Sequence, residues 1–492
     1  MMNPMITHPG RHTLDGTVRV FLAEALLLPT GLITAAFLTR RLGPEHYGLF
    51  VLAVTLVAWI EWGITSIFSR AAIKFVGESE DWRPVGTTLM RLHLAASAGA
   101  MLLLWLLAIP IAGWLNEPVL APYLCLFALD IPLHSLSQAH RNILIGIGGF
   151  RQRALTSAGR WISRLLLIVL LVELGLSVPG AILGSIGASL VELAIGRWYV
   201  RPALFSRSSF PVRQLWDYAG PLFLSALSLS CYSRLDLFIL KALGGTAGQA
   251  GIYGAAQNLS LLPGIFALAL SPLLLSTLSR LLHAGDAGPA KEMGRHAMRA
   301  VLWLLPVAAM IAGAAPEIVQ LFFGPLFLPA APLLAVLIFG AVASVMLSVA
   351  TSILIAVGKP GWTFALAAPL VPLAVAGHLM VIPRLGAIGA SFVTTLLAIL
   401  GALATVLAVY RLWRILPPAG TLWRSVLACG LAFALAALWP APGLLLLVKL
   451  PVIGVVIVLA FKVLREFNAH EIALARSVLS WKTTPAQHPH EV

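Results

Sequence analysis

Residues 40–53 read RRLGPEHYGLFVLA, and residues 241–256 read KALGGTAGQAGIYGAA. Each stretch leaves a long apolar run, passes Leu-Gly and a short polar turn, and enters the next apolar run at Tyr-Gly. Such a stretch turns the chain back at a membrane surface, because glycine accepts the backbone angles of a tight turn and charged groups are costly in lipid. A second pair of junctions repeats the relation: ELGLSVPGAILGSIGAS at 173–189 and PRLGAIGASFVTT at 383–395. Two pairs in the same order imply an internal duplication of a six-helix unit. With an even number of spans per unit the copies run parallel about an axis along the membrane normal, a transporter plan that places substrate between the halves.

The composition demands a membrane. Of 492 residues, 59% are hydrophobic and 11% charged, against about 25% charged in a soluble chain. The mean hydropathy is +0.94. A helical span takes about 20 apolar residues, because the hydrocarbon core offers the backbone no hydrogen-bond partner. Apolar runs predict fourteen spans, at 18–38, 47–69, 89–113, 119–139, 154–173, 179–199, 217–243, 251–281, 296–323, 329–357, 361–382, 387–411, 421–439 and 443–464. The expected fold is an all-α integral membrane protein of about 14 transmembrane helices. A cytoplasmic N-terminus (1–17) precedes an N-lobe (18–199), a linker (200–216), a C-lobe (217–411), two appended helices (412–464) and a cytoplasmic tail (465–492). The first run contains Glu24 and no A-x-A cleavage pattern, so it reads as an uncleaved helix.

Lys and Arg number 33 against 19 Asp and Glu, a net +14. In a soluble protein this would suggest nucleic acid. Here the basic residues gather on alternate loops, such as Arg70, Lys74, Arg83 and Arg91, or Arg141, Arg151 and Arg153, while the opposite loops hold Arg40, Arg41, Lys241 and Arg384. The asymmetry places both termini in the cytoplasm and removes the case for a nucleic-acid partner. Cys125, Cys231 and Cys429 all lie in apolar runs, without metal-ligand or disulfide spacing. No P-loop, GxSxG, HExxH or Cys/His cluster occurs, so neither an enzyme nor a resident cofactor or metal is expected. Energy for transport would then come from an H+ or Na+ gradient, or from the substrate's own.

Ionisable groups inside spans cost about 2.5–3.5 kcal/mol each and so tend to face a cavity. Arg160 and Arg164 share one face of the fifth span, and two guanidinium forks suit a pyrophosphate. The alternative is snorkelling to the cytoplasmic surface. Asp130 and His134, at i and i+4, read either as a proton relay or as a packed pair. Glu24 and Glu61 are candidate coupling-ion carboxylates, with Glu24 alternatively a partner for a basic residue. Arg234 and Asp236, about 200° apart on a helix, cannot pair with each other and each needs another partner. They read as a gate or coupling element, or as part of a structural ion pair. His378 and Lys449 stand alone in the sequence.

RRLGPEHYGLF, RNILIGIGGFRQRALTSAGRWISRLLLIVLL (141–171), DYAGPLFLSAL (217–227), SRLDLFILKALGG with GIYGAAQNL, and PRLGAIGASFVTT together resemble the polysaccharide biosynthesis protein family, the Wzx-type lipid-linked oligosaccharide flippases. That family belongs with lipid II flippases and multidrug and toxic compound extrusion (MATE) pumps in one superfamily. The resemblance implies two six-helix lobes rocking around a central cavity, and an undecaprenyl-pyrophosphate-linked oligosaccharide as substrate in the bacterial inner membrane. It also implies membrane lipids, a polysaccharide polymerase and glycosyltransferases as partners. Arg160, Arg164 and Arg234 would then bind the pyrophosphate, and Asp236 matches the family's aspartate at this point. A MATE-like drug/cation antiporter would need an acidic cavity, a lipid II-type flippase is a further alternative, and a membrane-embedded glycosyltransferase or polymerase would need a long outside loop, which is missing here.

Overall fold

The computed structural model describes residues 23–203, 210–213 and 235–467. Every long element among them is helical. The first, α1, runs Leu27–Glu78. Its 52 residues would extend about 78 Å at 1.5 Å per residue, far more than one crossing. The helix breaks at Gly43 (φ 71°, ψ 175°), followed by Pro44, which has no N–H to rejoin the ladder. After α2 (Arg83–Trp114), α3 (Leu120–Phe127) and α4 (Asp130–Gly146), helix α5 (Phe150–Leu171) passes through a π turn at Val172–Leu176 into α6 (Ser177–Tyr199).

The second half begins with α7 (Leu235–Ala242) and α8 (Ala247–Ser260), then α9 (Gly264–His283), α10 (Ala287–Leu302), α11 (Leu304–Gly313), α12 (Ala315–Phe323) and α13 (Ala330–Ala356). It ends with α14 (Gly361–Ala367), α15 (Leu370–Trp413), α16 (Ala419–Leu438) and α17 (Leu446–Val463). The duplication seen in the sequence carries into backbone geometry. The first glycine of each of the four quoted junctions takes a positive φ: Gly43 at 71°, Gly175 at 89°, Gly244 at 95° and Gly386 at 57°. Residues with a Cβ rarely adopt this region, so these are the positions where glycine is needed for the break.

Ten described helices are long and apolar enough to cross a membrane, and three of them, Ala23–Glu78, Phe150–Tyr199 and Gly361–Trp413, run 50 residues or more and contain these breaks. The predicted seventh span, 217–243, is described only from Leu235, and its first part lies outside the described residues together with most of the linker and the tail beyond Phe467. Four predicted spans are segmented. The fourth divides into α3 and α4, the eighth into α8 and α9 around Pro263, the ninth into α10, α11 and α12, with α10 starting well before the apolar run, and the eleventh into α14 and the start of α15. Hydropathy marks the lipid-facing part of a helix, whereas the helix itself continues into solvated turns.

Helix α5 packs along α6, α13 along α15 and α11 along α16, while α1 packs against α8 across the halves. That last contact joins the two Tyr-Gly segments. A Cβ on Gly48 would lie 1.8 Å from the Ala247 carbonyl oxygen, and one on Gly251 2.2 Å from the Pro44 oxygen. Close approach of the two backbones therefore requires glycine on both sides. At the same end Lys241 Nζ meets Glu117 Oε1 at 3.0 Å. Arg40 donates to the Leu321 and Phe322 carbonyls at 2.5 and 3.2 Å, at the end of α12 where carbonyls lack partners within the helix. The halves are thus joined at the Gly43/Gly244 end.

Candidate functional site

Polar faces of four helices converge inside the first half. On α5, Arg153, Ser157, Arg160 and Arg164 recur every three or four residues and so form one stripe. It faces Asp130, His134 and Arg141 of α4, Glu192 of α6, Glu61 of α1 and Glu24 just before α1. The charges alternate. Glu24 accepts from Arg153 at 3.1 Å and Ser157 at 3.0 Å, with Arg141 3.7 Å away. The fully buried Glu192 carboxylate bridges Arg141 (3.2 Å) and Arg160 (2.9 Å). Arg160 also meets His134 Nδ1.

Arg160 is held by Glu192 of α6 and His134 of α4, so it is neutralised from two other helices while its neighbour Arg164 is not. Asp130 and His134 share a face of α4 but are not hydrogen-bonded to each other. His134 turns to Arg160, and Asp130 lies against Ser189 and Glu61. Glu24 is paired with Arg153 at 3.1 Å. Arg141 and Arg153, counted above as loop residues reporting topology, are network members; Arg141 is 8% exposed. Glu192 lies within the sixth predicted span, 179–199, but its two partners come from other helices that the sequence does not bring to it.

Arg164 differs from its neighbours. Among the described residues it makes no hydrogen bond or ion pair, and its buried Nε lacks an acceptor. The carboxyl groups within electrostatic reach of it are Asp130 and Glu61. Oδ1 of Asp130 and Oε1 of Glu61 likewise have no donor. Arg164 lines a cavity of about 660 Å³ between the halves. The first limb of α1 contributes Leu28, Leu32, Thr34 and Leu38, and its second limb Tyr47, Val51, Thr55, Trp59 and Trp62. Asn258, Leu261 and Leu262 close it from the other half. Arg164 is the one charged side chain in this wall among the described residues.

In the second half Asp236 is 3% exposed. It accepts from Tyr253 Oη (2.6 Å), Gln257 Nε2 (2.9 Å), Thr394 Oγ1 (2.8 Å) and the Leu237 amide (2.8 Å), all neutral donors. Buried His378 lies near it. Arg234 lies outside the described residues. Lys449 is not alone: its buried ammonium meets Glu317 at 2.8 Å, tying α17 to α12.

A family model described as "Polysaccharide biosynthesis protein" matches residues 14–280, more than half of the chain. The chain belongs to the polysaccharide biosynthesis protein family. Relatives of this member include "Probable flippase AglR" of Haloferax volcanii, 24% identical over 413 residues that cover 81% of this chain and 84% of the relative. A Shigella flexneri protein described as "Putative O-antigen transporter" is 26% identical over 392 residues, covering 75% of this chain and 90% of the relative. The fold of this family member is that of the lipid II flippase MurJ in its inward closed conformation, with a TM-score of 0.75, 16% identity, and 91% and 98% of the two chains covered. It is also that of the Vibrio cholerae MATE transporter VcmN, with a TM-score of 0.59, 17% identity, and 82% and 97% covered.

Proposed function

We propose that this chain is a flippase that carries a polyprenyl-pyrophosphate-linked oligosaccharide from the cytoplasmic to the outer leaflet of the bacterial inner membrane for surface polysaccharide assembly. The observation that carries this reading is Arg164, a guanidinium with no hydrogen bond or ion pair among the described residues and the one charged side chain they contribute to the wall of a cavity between the halves. A buried cation without a partner is costly unless a ligand supplies the anion, and the planar fork suits phosphate oxygens. The names of the two relatives point the same way. Alternating access would open the Gly43/Gly244 end, read from the charge asymmetry as the outer one, after the pyrophosphate reaches Arg164.

Proton or sodium binding would reset the carrier. Glu61 with Asp130 in the first half and Asp236 in the second are the carboxylates best placed for it, since none has an ion pair among the described residues. A drug/cation antiporter is the poorer reading, because no carboxylate lines the described cavity wall. Deleting the gene tests the proposal. Lipid-linked repeat units should accumulate on the cytoplasmic face, with wild type restoring surface polymer and Arg164→Ala failing to. Unchanged polymer in the deletion strain, with no redundant carrier, overturns it.

A further inference from the structure

The cavity wall carries a signal that phosphate binding does not explain. Trp62, on the second limb of α1, is 37% exposed although it lies between the halves. Its ring has no hydrogen bond, ion pair or aromatic partner among the described residues. Trp59, nearly one turn earlier, is held by Phe238 of the other half at 4.8 Å between ring centroids, yet its buried Nε1 has no acceptor. Buried polar groups are almost always hydrogen-bonded, so such an orphan asks for a partner. On the other limb of the same helix, a Cβ at Gly31 would meet nothing within 4 Å, so this wall leaves room opposite the indoles.

The rest of the wall is largely leucine, valine and alanine. A sugar with every hydroxyl exposed would lose its water there without replacement, which is unfavourable. A sugar that presents a methyl or acetamido group beside its C–H face would lose less and would gain the flat aromatic surface. The volume, about 660 Å³, matches a small-ligand pocket of roughly 300–1,000 Å³. It suits a pyrophosphate and its proximal sugar, and not a long glycan.

We propose that Trp62, assisted by Trp59, selects the sugar attached to the pyrophosphate, and that this sugar is a deoxy or N-acetylated hexose stacked on Trp62 with an oxygen accepting from the Trp59 indole N–H. The inference rests on Arg164 as the pyrophosphate ligand. The test measures affinities of the purified full chain for three probes: farnesyl diphosphate, farnesyl-diphosphate-linked glucose, and farnesyl-diphosphate-linked N-acetylglucosamine. The N-acetylated probe should bind about tenfold tighter than the other two, equivalent to about 1.4 kcal/mol. Trp62→Leu should abolish that preference, so that the N-acetylated and glucose-linked probes bind alike. Trp62→Phe, which keeps an aromatic face, should retain most of it, and Trp59→Phe should lower it. Farnesyl diphosphate binding with no preference between the sugars, or a preference that survives Trp62→Leu, overturns the inference alone. Failure of all three probes to bind, or binding indifferent to Arg164→Ala, overturns the flippase reading and the inference with it.

Discussion

Just beyond α17, the Glu466 carboxylate accepts from Arg299 Nε (2.7 Å), Thr421 Oγ1 (2.5 Å), Arg424 Nη1 (2.7 Å) and Trp303 Nε1 (3.3 Å). Burial by itself would raise its pKa, but these donors favour the anion more strongly and hold it at about 2, below the usual 4.5. The sign follows from a depressed carboxyl. Its stabilisation is complete above about pH 4.5 and fades as pH falls towards 2. Glu466→Gln should therefore lower the thermal midpoint in detergent at pH 7, and its difference from wild type should shrink below about pH 4.5. Glu192 offers a second test at this scale. Glu192→Ala leaves Arg141 and Arg160 facing each other without a carboxylate, and should cost about 3–5 kcal/mol of stability, read by denaturant unfolding. Unchanged unfolding would contradict the ion-pair assignment. The sequence placed Arg160 and Arg164 on one helix face, which was correct geometry, but the residue that separates their fates, Glu192, arrives from α6. Which of two neighbouring arginines is neutralised depends on a contact between helices that one-dimensional spacing does not contain.

At the scale of elements, the Leu-Gly junctions were legible because each breaks a helix by local chemistry: glycine for the positive φ, and proline or a polar turn beside it. The contact of Gly48 with Gly251 was not, since it forms between segments distant in the chain. Segmentation of α10 to α12 was missed because a continuous apolar run does not record where helical angles lapse. Replacing Gly48 by alanine puts a methyl into the Ala247 carbonyl, so the crossing of α1 and α8 must widen. Spin labels at positions 117 and 241 in a cysteine-free background should report a longer, broader distance distribution for Gly48→Ala. A distribution like that of the parent would show that the glycine crossing does not hold the halves at that end.

For the molecule as a whole, Gly48/Gly251, Glu117–Lys241 and Arg40 on α12 join the halves at one end, and Trp59 on Phe238 and Tyr47 with Asn258 join them along the cavity that Arg164 lines. Composition alone supplied the membrane and the helical class, and the repeated junctions supplied the plan of two halves. What the sequence could not supply was the shape of the space between the halves, because that surface belongs to neither repeat. If the space is the path of a pyrophosphate-linked sugar, filling it should stop transport without unfolding the chain. Gly31→Phe, at a position where a side chain meets open space, should do so while keeping the thermal midpoint of wild type. The most direct measurement reconstitutes purified protein into proteoliposomes carrying a polyprenyl-pyrophosphate-linked sugar, and follows its appearance to a membrane-impermeant glycosidase on the opposite side. Wild type should expose the sugar and Arg164→Ala, equally folded, should leave it at the rate of empty liposomes. Equal rates for wild type and Arg164→Ala would contradict the account.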